Sequence, residues 1–368
     1  MNDTDQQALL QKFEPRETGV ITADPQVTEA RFSPCGCYLA AGGFDARVRV
    51  WDISGDEPTE SPAIVGHNGW VHAIVFHPEQ DVIYSADSWG QIRATRHDGG
   101  EPESLWNVEQ AHDGWIRQLD ISPDGKLLAS AAPDGRVCVW STADGQRVAE
   151  WTGHNEDVQS LRFDPSGKLL ASGDAKGKVR LWQVDSGECI REFDAGSLWL
   201  LHRLQDVGGV RLIRFNHDGS LLACGGVTPK NGGTVQGKPT LLIFDTASGE
   251  QRQSIEFGED KDCLLHDLVW HADDVLIGVT SGTPGTGKLV MRRPGDEKPF
   301  FETTKMANCH SLSYHADTNR LAIVATNKGS NGNGRRLNKD GEYEGNNSPI
   351  HLLKMGSDTD SAKTETAT

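Results

Sequence analysis

Two ten-residue stretches near the middle of the chain are almost the same. Residues 121–130 read ISPDGKLLAS, and residues 163–172, which begin 42 positions later, read FDPSGKLLAS. Related stretches begin at Phe32, Phe76, Phe215, Trp270 and Tyr314. Self-similarity with a period of about 20–50 residues is typical of solenoids and propellers. We therefore expect the 368 residues to form seven copies of one unit in a single domain, although length alone, at about 150 residues per domain, suggests two.

Each copy contains short apolar runs separated by turns, which predicts antiparallel β-strands. The third run ends at or near an aromatic residue, as in residues 48–51 (VRVW) and 137–140 (VCVW). In the seven copies this end position is held by Trp51, Thr95, Trp140, Trp182, Phe244, Arg292 and Leu353. In three copies a histidine lies 28 residues before it, at His67, His112 and His154. The constant spacing indicates that these copies fold in the same way.

With these histidines and the Trp51-Asp52 pair that ends the first copy, the sequence resembles the WD-repeat family of β-propellers. The resemblance implies an all-β fold, a seven-bladed β-propeller of four-stranded antiparallel blades, with strands a to d counted outward from a central channel. It is close in copies one to four and weaker in copies five to seven. We predict a single propeller domain over residues 17–355, a disordered or short helical tail over residues 1–16 and a disordered tail over residues 356–368.

The ends of the chain predict how the ring closes. The seventh copy stops after three runs, at about Lys354, and an unpaired strand-like run over residues 18–22 precedes the first copy. We expect this N-terminal run to be the outer strand of the last blade. Closure of this kind removes the open ring ends, which would otherwise favour aggregation.

The resemblance implies a hydrogen-bonded set of four side chains that ties one blade together. Copy three carries all four members, His112, Ser130, Asp134 and Trp140. The first three have the composition of a catalytic triad, but a histidine held between an aspartate and a buried indole network leaves no activated nucleophile. We therefore predict a structural role for this set.

Three other copies are expected to lack part of this set. Copy four has Lys176 where the aspartate is expected, copy two has Trp89 there and Thr95 in place of the tryptophan, and copy one lacks the histidine. We expect packing to hold these blades together more than polar contacts do.

The resemblance also implies a partner-binding face, called the top, which is formed by the d-to-a connections and the b-to-c turns. The family's usual contact positions correspond to Phe44, Trp70, His72, Ser88, Trp115, Arg117 and Pro133, with Trp89 one residue beyond Ser88. Tryptophan and arginine dominate the energetics of many interfaces. The alternative for Trp70 and Trp115 is that they cover blade edges.

One residue of each strand a is expected to lie at the mouth of the central channel. These residues are Thr28, His72, Arg117, Gln159, Arg211, His266 and His310. Three histidines and two arginines suit an acidic or phosphorylated group better than a metal ion, because arginine repels a cation. A solvated rim that binds nothing is the alternative.

Long insertions occur only in the loops that belong to the top face. They cover residues 194–209, 227–239 and 327–349. Loops of this length are commonly either functional or mobile, and both readings remain open for them.

Two local motifs resemble chemical sites without completing them. Residues 282–288 (GTPGTGK) satisfy most of a phosphate-binding loop, but Leu289 replaces the Mg²⁺-binding hydroxyl and a β-like run replaces the helix. We therefore predict a turn. Cys35 and Cys37 are two of seven scattered cysteines, and without a second pair to complete four ligands they also indicate a turn.

The net charge of −17 argues against binding a nucleic acid backbone, which requires clustered Lys and Arg. No apolar run reaches the roughly 18 residues of a membrane span, and the start lacks a signal-peptide pattern. The sequence predicts a cytoplasmic, non-enzymatic scaffold, monomeric by itself, with a protein or peptide partner and no cofactor or metal. The alternatives are a propeller enzyme or a small-molecule or metal binder that uses the channel mouth, and a regulatory subunit of a larger assembly.

Overall fold

The computed structural model describes residues 3–202, 204–230, 236–282, 285–327 and 347–356. Seven four-stranded antiparallel sheets form around a central channel, as predicted. Blade one contains β2 (Val27–Phe32), β3 (Tyr38–Gly43), β4 (Val48–Asp52) and β5 (Thr59–Glu60). Blade two contains β6 (Val71–Phe76), β7 (Val82–Asp87), β8 (Ile92–Arg96) and β9 (Glu103–Val108). Blade three contains β10 (Gln118–Ile121), β11 (Leu127–Ala131), β12 (Val137–Ser141) and β13 (Arg147–Trp151).

The remaining blades follow the same order along the chain. Blade four contains β14 (Val158–Phe163), β15 (Leu169–Asp174), β16 (Lys178–Gln183) and β17 (Cys189–Asp194). Blade five contains β20 (Leu212–Phe215), β21 (Leu221–Lys230), β22 (Gln236–Asp245) and β23 (Gln251–Glu256). Blade six contains β24 (Leu264–His271), β25 (Val275–Ser281), β26 (Lys288–Arg292) and β27 (Phe301–Thr303). Blade seven contains β28 (Ser311–His315), β29 (Arg320–Val324), β30 (Ser348–Met355) and the N-terminal strand β1 (Pro15–Ala23).

The ring closes through the N-terminal strand, which confirms the prediction. Strand β1 pairs antiparallel with β30, from Pro15 opposite Met355 to Ala23 opposite Ser348. Apolar residues of β1, blade one and blade seven share one buried cluster that includes Ile21, Val27 and Val324. Because the first and last blades pack together, the propeller has no open ring end.

The apolar core lies between neighbouring blades. Side chains that end strand c are buried in all seven blades, including the two polar ones, Thr95 and Arg292. Arg292 donates hydrogen bonds to the backbone oxygens of Glu256 and Asp296. The position that the sequence repeat marked is therefore a packing position, since even its polar occupants are withdrawn from water.

A helix precedes the propeller and packs against it. Helix α1 (Asp3–Phe13) buries Leu9 and Phe13 in the core cluster shared by blades six and seven. The ring of Phe13 makes an edge-on contact with His271, with 5.0 Å between centroids, and Lys12 pairs with Asp273 at 2.5 Å. No helix among the residues that the structure describes is long and apolar enough to cross a membrane.

Two of the predicted insertions are structured where they are described. Residues 194–209 contain a 3₁₀ turn (Gly196–Leu198) and a hairpin of β18 (Trp199–His202) and β19 (Gln205–Gly208). Residues 227–239 lengthen the β21–β22 hairpin of blade five, with Lys230 opposite Gln236. Most of the third insertion, residues 328–346, and residues 357–368 of the C-terminal tail lie outside the described residues.

Candidate binding face and channel mouth

The predicted four-residue set comes together in blade three. The Nε2 atom of His112 lies 2.7 Å from Oγ of Ser130, and the indole N–H of Trp140 donates to the same oxygen at 2.8 Å. The Nδ1 atom of His112 lies 2.9 Å from Asp134. Ser130 is completely buried, so its hydroxyl is inaccessible to a substrate. The contact also fixes the d-to-a connection beside the b-to-c turn, which places both kinds of loop on one face.

The expectation that blades two and four lack the aspartate is wrong. In blade two, Asp87 lies 3.1 Å from Nδ1 of His67, and in blade four Asp174 lies 2.9 Å from Nδ1 of His154. These aspartates follow the strand-b serine by two residues, whereas Asp134 follows it by four. Lys176 and Trp89 occupy the later position, but the carboxylate reaches the same histidine from the earlier one because the turn is tight. The sequence signal was the repeated Ser-x-Asp.

The three aspartates are held as anions. Burial by itself would raise the pKa of Asp87, Asp134 and Asp174, but hydrogen bonds from the histidines and from backbone N–H groups outweigh it, and each pKa is lowered. A carboxyl group whose pKa is lower in the folded state stabilises the fold above its unfolded pKa. That contribution is lost as the pH falls through the folded-state value.

This linkage predicts how an Asp174→Asn variant depends on pH. We expect its Tm at pH 7 to be about 4 °C below wild type, because a charge-assisted hydrogen bond to His154 is lost. The difference should shrink as the pH falls below about 4, where wild type also loses the carboxylate. Thermal denaturation between pH 7 and pH 2 measures it, and the exposed Asp185→Asn is the control. A difference that stays constant down to pH 2 would contradict the assignment.

Aromatic side chains form a continuous strip on the top of blades one to three. Phe44 contacts Trp70 with 5.1 Å between centroids, and Trp70 contacts Trp115 at 6.1 Å. Trp89 lies in the neighbouring turn of blade two. Phe44, Trp70 and Trp89 expose 41%, 47% and 70% of their surface. We call these four residues the aromatic strip. Trp70 therefore does both things that the sequence left open, since it packs against neighbours and remains half exposed.

The backbone beneath the strip is fixed. The amide of Trp70 donates to Oγ of Ser88 at 3.0 Å, and the amide of Ser88 donates to the carbonyl of Trp70 at 2.9 Å. Asp87 accepts a hydrogen bond from the amide of Trp89 at 2.9 Å. The same carboxylate that holds His67 therefore also positions the loops that carry two exposed tryptophans.

All seven residues predicted at the channel mouth line one cavity of about 500 Å³. They are Thr28, His72, Arg117, Gln159, Arg211, His266 and His310. Phe44 and Trp115 of the aromatic strip line the same cavity. The guanidinium of Arg117 stacks on the Trp115 ring at 4.5 Å from its centroid. The strip and the channel mouth are therefore continuous.

The cavity is basic although the protein is acidic. Four arginines and two carboxylates line it, which gives a formal charge of +2 with neutral histidines. Arg31 pairs with Glu29 at 2.7 Å, and Arg214 pairs with Asp267. The guanidiniums of Arg117 and Arg211 make no ion pair or hydrogen bond with any residue that the structure describes. The excess positive charge is thus located on these two side chains.

The three histidines of the mouth are neutral at pH 7. Burial, with repulsion from Arg117, His310 and Arg211, lowers the pKa of His72 to about 4. Burial lowers the pKa of His266 to about 3, and it also lowers that of His310. A neutral imidazole can donate one hydrogen bond and accept another.

Two of these histidines already have neighbours at their ring nitrogens. Nε2 of His266 lies 2.7 Å from Oγ of Ser281. The ring nitrogens of His310 lie 3.1 Å from the carbonyl oxygen of Asn308 and 3.2 Å from that of Val27. Within the described part of the chain, no three His, Cys, Asp or Glu side chains are grouped so that they could hold a metal ion.

A charged layer below the mouth was not predicted. Asp267 accepts from Arg31 at 3.3 Å and from Arg214, and Asp120 accepts from Arg162 at 2.9 Å. Burial raises the pKa of Glu29, which faces Arg31, to about 7. We call the six residues Glu29, Arg31, Asp120, Arg162, Arg214 and Asp267 the charged layer. The sequence signal was a charged residue inside an apolar strand a, repeated in blades one, three, four, five and six.

The two motifs set aside in the sequence have no completed site. Lys288 begins strand β26 rather than a helix and lies 3.5 Å from Asp262, while residues 283 and 284 lie outside the described residues. Cys35 and Cys37 are both free thiols in the a-to-b turn of blade one.

Known proteins match mainly the first half of the chain. The family described as "WD domain, G-beta repeat" matches residues 16–52, 59–94, 104–141 and 145–183. Nuclear distribution protein nudF of Aspergillus terreus is 30% identical over 132 residues, which cover 31% of this chain and 29% of that protein. Protein HIR1 of Phaeosphaeria nodorum is 27% identical over 37% of this chain and 14% of its own length.

A third relative is a chromatin assembly factor 1 protein of Mus musculus, a subunit of that factor. It is 26% identical over 133 residues, which cover 36% of this chain and 19% of that protein. The chain thus spans less than a third of the length of each of these three relatives.

Proposed function

Since the chain is a WD-repeat seven-bladed β-propeller, we propose that it is a scaffold that binds a protein segment on its top face. The chromatin assembly factor 1 relative is by its name part of an assembly, which supports a role in holding proteins together. The matched segments cover only a fraction of that relative, and fold alone does not transfer a partner. The residues of the top face carry the argument.

The aromatic strip is the observation on which the proposal rests. Trp70 and Trp89 are among the few exposed large apolar side chains that the structure describes, and they lie on adjoining loops. Exposed apolar clusters commonly mark interaction sites, and tryptophan is the residue type most enriched among those that dominate binding energy. Because hydrogen bonds fix the loops beneath them, binding would cost little ordering entropy.

The charge next to the strip favours an acidic partner segment. Arg117 stacks on Trp115, which is the point where the strip meets the basic mouth. A segment that covers Trp70 and Trp115 would bring its neighbouring residues over Arg117. Acidic or phosphorylated side chains at that point would complement the unpaired guanidinium.

The proposal predicts that a Trp70→Ala, Trp89→Ala double variant loses its partner. We expect affinity to fall at least about thirtyfold, since each central tryptophan at an interface is commonly worth about 2 kcal/mol. Tagged wild type and variant would be used to capture proteins from the source cell, with quantitative mass spectrometry of what each retains.

A matched control changes equally exposed apolar residues elsewhere. Val148 and Ile190 lie on the outer strands of blades three and four and expose 60% and 45% of their surface. The Val148→Ala, Ile190→Ala variant should retain the partner. If the tryptophan variant keeps its fold and retains every protein that wild type captures, the top face is not the binding surface.

A further inference from the structure

Two arginines at the channel mouth have no counter-ion among the residues that the structure describes. Arg31 and Arg214, which also reach the cavity, are each paired with a carboxylate, whereas Arg117 and Arg211 are not. In a chain with 53 acidic residues and 36 basic ones, two unpaired guanidiniums in one cavity are unexpected, because burying a charge without a partner is costly. Burial lowers the pKa of both side chains.

We propose that the channel mouth is an oxyanion pocket that holds a phosphate monoester between Arg117 and Arg211. The inference rests on the cavity alone, so it goes beyond the proposed protein binding. It requires no contact with Trp70 or Trp89.

The charge of the cavity favours phosphate over carboxylate. With neutral histidines the lining carries +2, and a phosphate monoester near pH 7 carries about −1.5 to −2. A carboxylate would neutralise only one arginine. Arginine also presents a planar fork of N–H groups that matches the spacing of phosphate oxygens.

The rest of the pocket can supply hydrogen bonds. Nδ1 of His72, the indole N–H of Trp115 and Oε1 of Gln159 have no hydrogen-bond partner among the described residues. Small side-chain rotations would turn donor groups of His72, Gln159 and Trp115 toward a bound oxyanion. Neutral histidines serve here, since they donate without adding to the repulsion between the two arginines.

The carboxylates of the cavity do not compete for the unpaired arginines. Glu29 is one residue beyond Thr28 on strand β2 and is engaged by Arg31 at 2.7 Å. Asp267 is engaged by Arg31 and Arg214 and by the backbone amide of Leu312 at 3.0 Å. Arg117 is held in place by the Trp115 ring. The site is therefore already organised for an external anion.

The test is a titration of the full chain with inorganic phosphate in a chloride buffer, followed by isothermal titration calorimetry. We expect one site with a Kd of about 1 mM or tighter. Arg117→Gln and Arg211→Gln should each weaken binding at least about tenfold. Arg252→Gln removes the same charge from the outer strand of blade five and should leave the affinity unchanged. Both mouth arginines are solvent-accessible, so their variants should fold.

Three further titrations identify the ligand. Acetate should bind at least about tenfold more weakly than phosphate. A five-residue peptide with a central phosphoserine that binds tighter than phosphate assigns the pocket to a phosphorylated protein segment, and one that binds equally or more weakly assigns it to free phosphate compounds. The proposal is overturned if phosphate does not bind, if acetate binds as well, or if the arginine variants bind like wild type.

The Trp70→Ala, Trp89→Ala variant separates this inference from the proposed function. Neither tryptophan lines the cavity, so this variant should bind phosphate like wild type. Phosphate binding without any partner dependent on the tryptophans would refute only the scaffold proposal. Loss of the partner without any phosphate binding would refute only the oxyanion pocket.

Discussion

Replacing Asp87 with alanine is expected to lower the free energy of unfolding by about 3–5 kcal/mol, which corresponds to a fall in Tm of about 8 °C. Its carboxylate contacts His67 and accepts hydrogen bonds from four backbone amides, those of Asn68, Gly69, Trp89 and Gln91. The Asp87 side chain is completely buried, so water cannot replace these bonds. Differential scanning calorimetry of the purified variant measures the effect.

Blade one provides the matched comparison for Asp87. Asp45 also lies in a b-to-c turn, but it pairs with Arg49 at 3.1 Å and has no histidine to hold. Asp45→Ala should cost about 1 kcal/mol or less. Equal losses for both aspartates would mean that the histidine set contributes nothing beyond an ordinary turn, and would refute its structural role.

The error over Asp87 and Asp174 shows what a repeat cannot reveal by itself. Aligning the copies placed the aspartate four residues after the strand-b serine, as in Asp134, because that copy was complete. A hydrogen bond requires only that the carboxylate reach Nδ1 of the histidine, and a tight turn offers two positions that do so. Backbone geometry, which residue spacing does not specify, decides between them.

The channel mouth was predictable because strand a keeps a constant register. Counting to one position in each copy found seven residues of a single cavity, from Thr28 to His310. Whether Arg117 and Arg211 had counter-ions was not predictable, because carboxylates from four other blades could have reached them. Glu29 and Asp267 line the cavity as well, and only the structure shows that other arginines engage them.

Strand β1 and the tryptophans mark the same boundary between what pattern and packing decide. The missing fourth run of copy seven led directly to β1 as its replacement, because a blade needs four strands. The exposure of Trp70 depends on how closely Phe44 and Trp115 approach it from neighbouring blades. Such contacts join distant parts of the chain, so local sequence leaves them open.

The charged layer supports a second large effect on stability. Asp267→Asn is expected to lower the free energy of unfolding by about 3–5 kcal/mol. Asp267 is 5% exposed and lies between Arg31 and Arg214. Burial alone would raise its pKa, but the two guanidiniums outweigh it and the pKa is lowered. Asparagine would leave both buried cations with less compensation, and denaturant unfolding at pH 7 measures the loss.

A double variant tests whether the loss comes from unpaired cations. Burial lowers the pKa of Arg214 to about 10, which shows that its charge is costly at this depth. Arg214→Met should therefore cost less in the Asp267→Asn background than in wild type, by about 1–3 kcal/mol. Asp273→Asn, whose exposed carboxylate in the same blade pairs with Lys12, should cost about 1 kcal/mol or less. Additive losses for Asp267 and Arg214 would mean that each acts through packing, and that the charged layer is not a coupled network.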